Sequence, residues 1–244
     1  MTTLFISDLH LDTQRPDIIQ EFVNLLDQAK TSAAALYILG DFVEYWIGDD
    51  DPDHGLEAAF DKLRELGGTE PVYLMHGNRD FLIGEEFVNR YRLTLLPDPA
   101  VIDLYGRRAL LMHGDTLCTD DVEYQAFRKM VRNPQWQAEF LAKPLAERRA
   151  IVMNLRKTSK EATEDKPEDI MDVSQRAVEQ AMREHDVSLL IHGHTHRPGV
   201  HNFVLDGQPA TRIVLGDWYQ QSSVLYYDET GFTLKSHAGP RIEY

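Results

Sequence analysis

Cysteine is almost absent: Cys118 is the only one in 244 residues. That excludes an internal disulfide framework and any thiolate-rich metal site, and it suits a reducing compartment. Basic residues are also scarce, with 25 Lys plus Arg against 40 Asp plus Glu and a formal net charge of −15. Nucleic-acid binding depends on Lys and Arg displacing counterions from phosphates, so no nucleic-acid partner is expected. Long apolar runs are missing as well; none approaches the roughly 18 residues a spanning helix requires. The opening Met1, Thr2, Thr3, Leu4, Phe5 has no basic n-region and no long apolar h-region, and Leu4 to Ile6 reads as a first strand. The expectation is a cytoplasmic chain that touches a membrane, if at all, only at its surface.

What the sequence does contain is five short polar clusters, each just after an apolar run. They are Asp8 and His10; Gly40 and Asp41; Gly77, Asn78, Arg79 and Asp80; His113, Gly114 and Asp115; and Gly193, His194, Thr195 and His196. The preceding runs cover residues 4–6, 36–39, 72–75, 109–112 and 188–191. In α/β proteins, ligands collect where strands end, because the loops there bring distant residues to one edge. Two Asp carboxylates, several imidazoles and an Asn carbonyl form a mixed oxygen and nitrogen donor set. Such a set suits Mn²⁺, Fe or Zn²⁺ and is too rich in histidine for a pure Mg²⁺ or Ca²⁺ site.

The intervening chain reads as an α/β fold. Helical spacing over Asp17–Lys30 between strands at 4–6 and 33–39 gives a β-α-β unit with parallel strands. A further helix is expected over Gly55–Leu66 and hairpins around Gly106 and Gly231. Residues 121–184 break the β pattern with predicted helices over Val122–Val131, Gln135–Leu141, Leu145–Ser159 and Asp169–Glu184. That block is expected to be a helical insertion in a single 1–244 domain, either a packed subdomain or a lid over the site. From Gln125 to Lys166 it carries ten Lys or Arg against five Asp or Glu, a positive segment in an acidic protein, which points it at an anion.

The order Asp-x-His, Gly-Asp, Gly-Asn-Arg-Asp, His and Gly-His-x-His resembles the calcineurin-like metallophosphoesterases over Asp8 to His196. That resemblance implies a four-layer αββα sandwich and two divalent metal ions, with Mn²⁺ the expected pair. It places Asp8, His10, Asp41 and His196 on one metal, and Asp41, Asn78, His113 and His194 on the other, with Asp41 bridging. His192 is then a hydrogen-bonded structural residue. Asp80 and Asp115 either orient the Asn78 loop and His113 or are exposed loop acids, and Asp217 and Trp218 either line the site or pack.

Arg79 stands where most of that family has histidine. Arginine stays charged at every working pH and cannot act as a general acid, so the leaving group should need no proton. A phosphate leaving from a pyrophosphate meets that condition, and the planar guanidinium can grip phosphoryl oxygens bidentately. The departure resembles the branch of the family that acts on a lipid-linked UDP-sugar at the cytoplasmic face of the inner membrane. Asp41, Asn78 and Arg79 are then expected to be catalytic. Asn78, Arg79, Asp121, Ser159, Thr163, Lys166 and His194 are the expected substrate contacts, followed by Tyr124 and Arg156. The apolar residues of the insertion can shelter acyl chains while its cations meet phosphate. Two other readings share these residues: a nucleotide or phosphoprotein phosphatase of the same fold, and a scaffold that keeps the fold without catalysis.

Overall fold

A computed structural model describes residues 2–52, 55–164, 170–219 and 221–238. The first half alternates strands and helices: β1 (Thr2–Ile6), α1 (Pro16–Ser32), β2 (Ala33–Leu39), α2 (Glu57–Leu66), β3 (Val72–Met75), α3 (Glu85–Tyr91) and β4 (Thr94–Leu96). A hairpin follows, β5 (Ala100–Leu104) and β6 (Arg107–Met112), and then the helices α4 (Val122–Val131), α5 (Pro134–Leu141), α6 (Leu145–Glu164) and α7 (Gln175–Glu184). The chain closes with β7 (Leu189–His192), β8 (Gly199–Leu205), β9 (Gln208–Val214), β10 (Gln221–Asp228) and β11 (Gly231–Ala238).

Two sheets form, ordered β11-β10-β1-β2-β3-β4 and β5-β6-β7-β9-β8. The strands alternate their side chains between two apolar layers, as a pleat buried on both faces requires. In β1, Leu4 and Ile6 face α1 and α2, whereas Phe5 turns to the second sheet; Leu36 and Ile38 of β2 divide from Leu39 in the same way. In the second sheet Ala109, Leu111, Leu189, Ile191 and Ile213 meet Phe5 and Leu39 between the sheets. Their neighbours Leu110, Met112 and Leu190 pack outward against Val178 and Met182 of α7. The layers therefore run helix, sheet, sheet, helix.

This packing divides the expected 121–184 block. α7 is an outer covering helix of the second sheet, and it begins at Gln175 rather than Asp169. Its sequence neighbours α4, α5 and α6 instead sit over the loops that follow β2 and β3, with Phe140 and Trp136 against the core that holds Trp46 and Leu82. α6 is fastened there by charge. Arg148, only 3% exposed, donates from Nη1 to the Ile47 carbonyl and to Asp50 at 2.7 Å each, and Arg149 reaches Asp51 at 2.6 Å. A buried guanidinium whose donors are satisfied by a carbonyl and a carboxylate holds geometry better than apolar contact alone.

β1–β2–β3 and β6–β7–β9 are parallel runs, and their carboxyl ends lie at one edge of the sandwich. All five polar clusters begin there.

Candidate metal centre and adjoining cavity

The loops at that edge are held in unusual backbone. Asp8, His10, Asp41, His194 and His196 all have left-handed φ, between 48° and 70°. Such conformations cost of order 1–3 kcal/mol each in a non-glycine residue and persist only where neighbours enforce them. Here the enforcement is visible: Asp8 N–H donates to the Gly40 carbonyl at 3.0 Å, His10 N–H to the Asp41 carbonyl at 2.9 Å, and Trp218 N–H to the Asp8 carbonyl at 3.1 Å. Gly77 and Gly193 let the loops close up, since a Cβ at either would collide with the carboxylate of Asp41 or of Asp8.

Two groups of donors converge. Asp8, His10 and His196 form one; Asp8, Asp41 and His113 form the other. His10 Nε2 lies 3.3 Å from His196 Nε2 and 3.7 Å from Asp41 Oδ2. His113 Nε2 and His194 Nδ1 both point at Asn78 Oδ1, at 3.0 and 2.9 Å, and His113 Nε2 is 3.8 Å from Asp41 Oδ1. Asp41 thus stands between the groups, one oxygen toward each. Asp8 Oδ1 is buried with no hydrogen-bond partner among the described residues, 3.4 Å from His196 Nε2. Imidazole nitrogens turned on one another and on a shared amide oxygen, beside an unpartnered buried carboxylate oxygen, fit cations better than they fit one another.

The electrostatics agree. Burial alone would lower the pKa of His113, but Asp41, Asp115 and Asp8 outweigh it and raise it to about 9. A field that holds an extra proton on a fully buried ring would hold a metal there instead. His194 is pushed the other way, to about 4, first by burial and then by the neighbouring His113, so it is neutral and ready to ligate. Burial would raise the Asp8 carboxyl, yet the close approach and charge of His196 bring it well below the usual carboxylate range.

The surrounding residues fix these groups. His113 Nδ1 donates to the Leu39 carbonyl at 2.9 Å, leaving Nε2 for the site; Asp115 does not orient it, contrary to one expectation. Asp115 instead accepts from Tyr124 Oη at 2.8 Å and Arg128 Nε at 2.7 Å, tying α4 to the edge of the site. Asp80 is buried and accepts from Gly77 N–H and Phe42 N–H, each at 2.7 Å, so it staples the Asn78 loop to the Asp41 loop. His192 is fully buried, its Nδ1 bonded to the Gly193 carbonyl at 2.9 Å and its Nε2 beside Arg212 at 3.4 Å, outside the donor groups. Asp217 faces His196 at 3.9 Å, whereas Trp218 packs into the core.

From this edge a cavity of about 350 Å³ extends under the insertion. Asn78, Arg79, Glu44 and Asp121 stand at its polar part; Phe81, Leu82, Phe127, Trp136, Phe140, Val152 and Leu155 form apolar walls, with Arg128, Arg132 and Arg156 between. Arg79 N–H donates to Asp41 Oδ1 at 2.8 Å, while its buried Nε has no partner among the described residues. Asp121 caps α4 by accepting from Tyr124 N–H at 3.0 Å. Ser159 and Thr163 lie on α6, where the described structure ends at the backbone, and Lys166 lies outside the described residues.

A family model for calcineurin-like phosphoesterases matches residues 1–198. The chain belongs to the calcineurin-like phosphoesterase family. It is 52% identical over 237 residues to a protein of Cellvibrio japonicus named UDP-2,3-diacylglucosamine hydrolase, covering 97% of this chain and 99% of that one. Two others of that name, from Pseudomonas aeruginosa and Stenotrophomonas maltophilia, are 53% identical over 235 residues and 49% identical over 246. They cover 95% and 98% of this chain, and 97% and 99% of their own lengths. An archaeal phosphodiesterase of known structure matches the fold with a TM-score of 0.51 at 12% identity, over 97% of this chain and 99% of its own. The metallophosphoesterase family is metal-dependent, and the converging carboxylates and imidazoles are this member's candidate ligands.

Two residues at the centre carry no role in the sequence reading. Glu44 Oε2 lies 3.0 Å from His10 Nδ1, and the Tyr219 ring stacks on His10 with centroids 4.8 Å apart. Glu44 sits three residues after Asp41, which was the only available signal; Tyr219 gives none.

Proposed function

We propose that this chain hydrolyses the pyrophosphate of UDP-2,3-diacylglucosamine, with water attacking the α-phosphorus to give UMP and 2,3-diacylglucosamine 1-phosphate. The observation that carries the proposal is the single cavity joining Arg79 and Asn78 to apolar walls on α4, α5 and α6. The relatives' shared name supports the same substrate. Two divalent ions, Mn²⁺ by expectation, would be held by Asp8, His10, Asp41 and His196 and by Asp41, Asn78, His113 and His194. When bound they would supply Lewis acidity to phosphoryl oxygens and activate the attacking water.

The protein's own groups do the rest. Arg79 lines the polar part of the cavity, where its guanidinium would stabilise charge growing on the pyrophosphate oxygens. Because the departing group is a phosphate monoester, it leaves without a proton, and no general acid is required where Arg79 replaces histidine. The apolar walls take acyl chain, so binding energy gained far from phosphorus aligns the pyrophosphate with the centre. Asp121 and His194 would meet the sugar and phosphate, and Ser159, Thr163 and Lys166 would complete the grip. Exposed Val122, Met130 and Met153 on the insertion suit peripheral contact with the cytoplasmic face of the inner membrane. No described helix is long and apolar enough to cross a membrane.

Comparing turnover of UDP-2,3-diacylglucosamine, unacylated UDP-glucosamine and a phosphoprotein tests the proposal. The diacylated substrate should lead in kcat/KM by at least tenfold. Equal rates for the acylated and unacylated sugars would remove the lipid, and preference for the phosphoprotein would overturn the substrate class.

A further inference from the structure

Glu44 is 8% exposed, and it makes three polar contacts that belong to two different parts of the machinery. Its Oε2 lies 3.0 Å from His10 Nδ1 and accepts from the Tyr219 hydroxyl. Its Oε1 holds Arg156 Nη2 of α6 at 2.8 Å. Tyr219 in turn lies flat against His10, with ring planes 20° apart, and the Arg156 guanidinium rests over the Tyr45 ring at 5.3 Å from its centroid. Both oxygens are thus engaged, Oε2 on the His10 and Tyr219 side and Oε1 on the α6 side.

Two consequences follow from that geometry. With a carboxylate oxygen 3.0 Å from Nδ1, the His10 ring is set so that Nε2 is the nitrogen turned toward Asp41 and His196. Accepting from Arg156 pins a cation of the insertion beside the Arg79 end of the cavity, more than a hundred residues away in sequence. We propose that Glu44 is a positioning residue that couples the two: one oxygen sets the His10 ligand, and the other sets the place of Arg156 and hence of α6 over the substrate. The Arg156 half of this inference rests on the proposed function; the His10 half does not.

The two halves separate by substitution. In Glu44→Gln the amide oxygen still accepts from His10, but the amide nitrogen can only donate and cannot hold Arg156. In Glu44→Ala both are lost. Metal binding measured by calorimetry on the metal-free full chain should show two sites in Glu44→Gln with affinities near wild type. In Glu44→Ala one site should weaken about 10–100-fold, the usual scale for losing a carboxylate behind a histidine ligand. For UDP-2,3-diacylglucosamine, Glu44→Gln should lose about tenfold or more in kcat/KM. That loss should disappear when Arg156→Ala is already present, because there is then no guanidinium left to place. If Glu44→Gln weakens metal as much as Glu44→Ala, or if its loss adds fully to that of Arg156→Ala, the division of roles is wrong. A fall in thermal stability with equal loss on every substrate would reduce Glu44 to a structural residue. Should wild type fail on the diacylated sugar, the calorimetric arm still decides the His10 half.

Discussion

Replacing Arg79 by alanine separates chemistry from assembly. The one contact Arg79 makes to a candidate ligand is through its backbone, N–H to Asp41 Oδ1 at 2.8 Å, and alanine keeps that bond. What it removes is the guanidinium lining the cavity, whose buried Nε has no partner among the described residues. Losing one preorganised donor to developing charge typically costs 10²–10³ in kcat, about 2.7–4 kcal/mol. Arg79→Ala should therefore retain two metals by elemental analysis while kcat for UDP-2,3-diacylglucosamine falls about 10²-fold or more. Lysine keeps the charge without the planar fork, so Arg79→Lys should fall between. Metal loss in proportion to activity, or a change under about fivefold, would refute the role given to the side chain.

Asp41→Ala should lose most of its bound metal and nearly all hydrolysis while remaining folded, because one carboxylate oxygen faces each donor group; near-normal metal content by elemental analysis would count against a shared carboxylate. The His113 proton predicts opposing pH trends in the metal-free protein. With a folded pKa of about 9 against an ordinary 6.5, its contribution to stability is complete below about 6.5 and disappears as pH rises through about 9. Metal must displace the same proton, so affinity should rise about tenfold per pH unit over that window. Thermal melts and metal titrations between pH 6 and 9.5 would show it, and a flat affinity profile would contradict the assignment.

The strands that end in the polar clusters were legible because each is a short apolar run closed by glycine or a polar ligand, and β2 falls at 33–39 as expected. The short helix α3 was not, since its first turn is capped from afar, by Asp49 accepting from Gly84 N–H and Phe87 N–H at 2.9 Å each. Nor was the full β8–β9 hairpin, whose β8 is largely exposed and lacks a clear apolar face. α7 looked like part of the insertion because it follows it in sequence; Val178 and Met182 show that it belongs to the second sheet. Ligand types were readable from the motifs, but their supports were not. The carbonyl behind His113 comes from Leu39 in the opposite sheet, and the carboxylate behind His10 comes from Glu44 on another loop. Such pairings are set by how the sheets stack, and no local spacing encodes them.

Hydrolysis in ¹⁸O-water tests the central claim most directly. The metal-loaded protein, given UDP-2,3-diacylglucosamine in a membrane-mimetic mixture, should release UMP carrying one ¹⁸O in its phosphate, with none in 2,3-diacylglucosamine 1-phosphate, both read by mass spectrometry. Label in the lipid phosphate would place attack on the other phosphorus, and no release of either product would contradict the proposed activity.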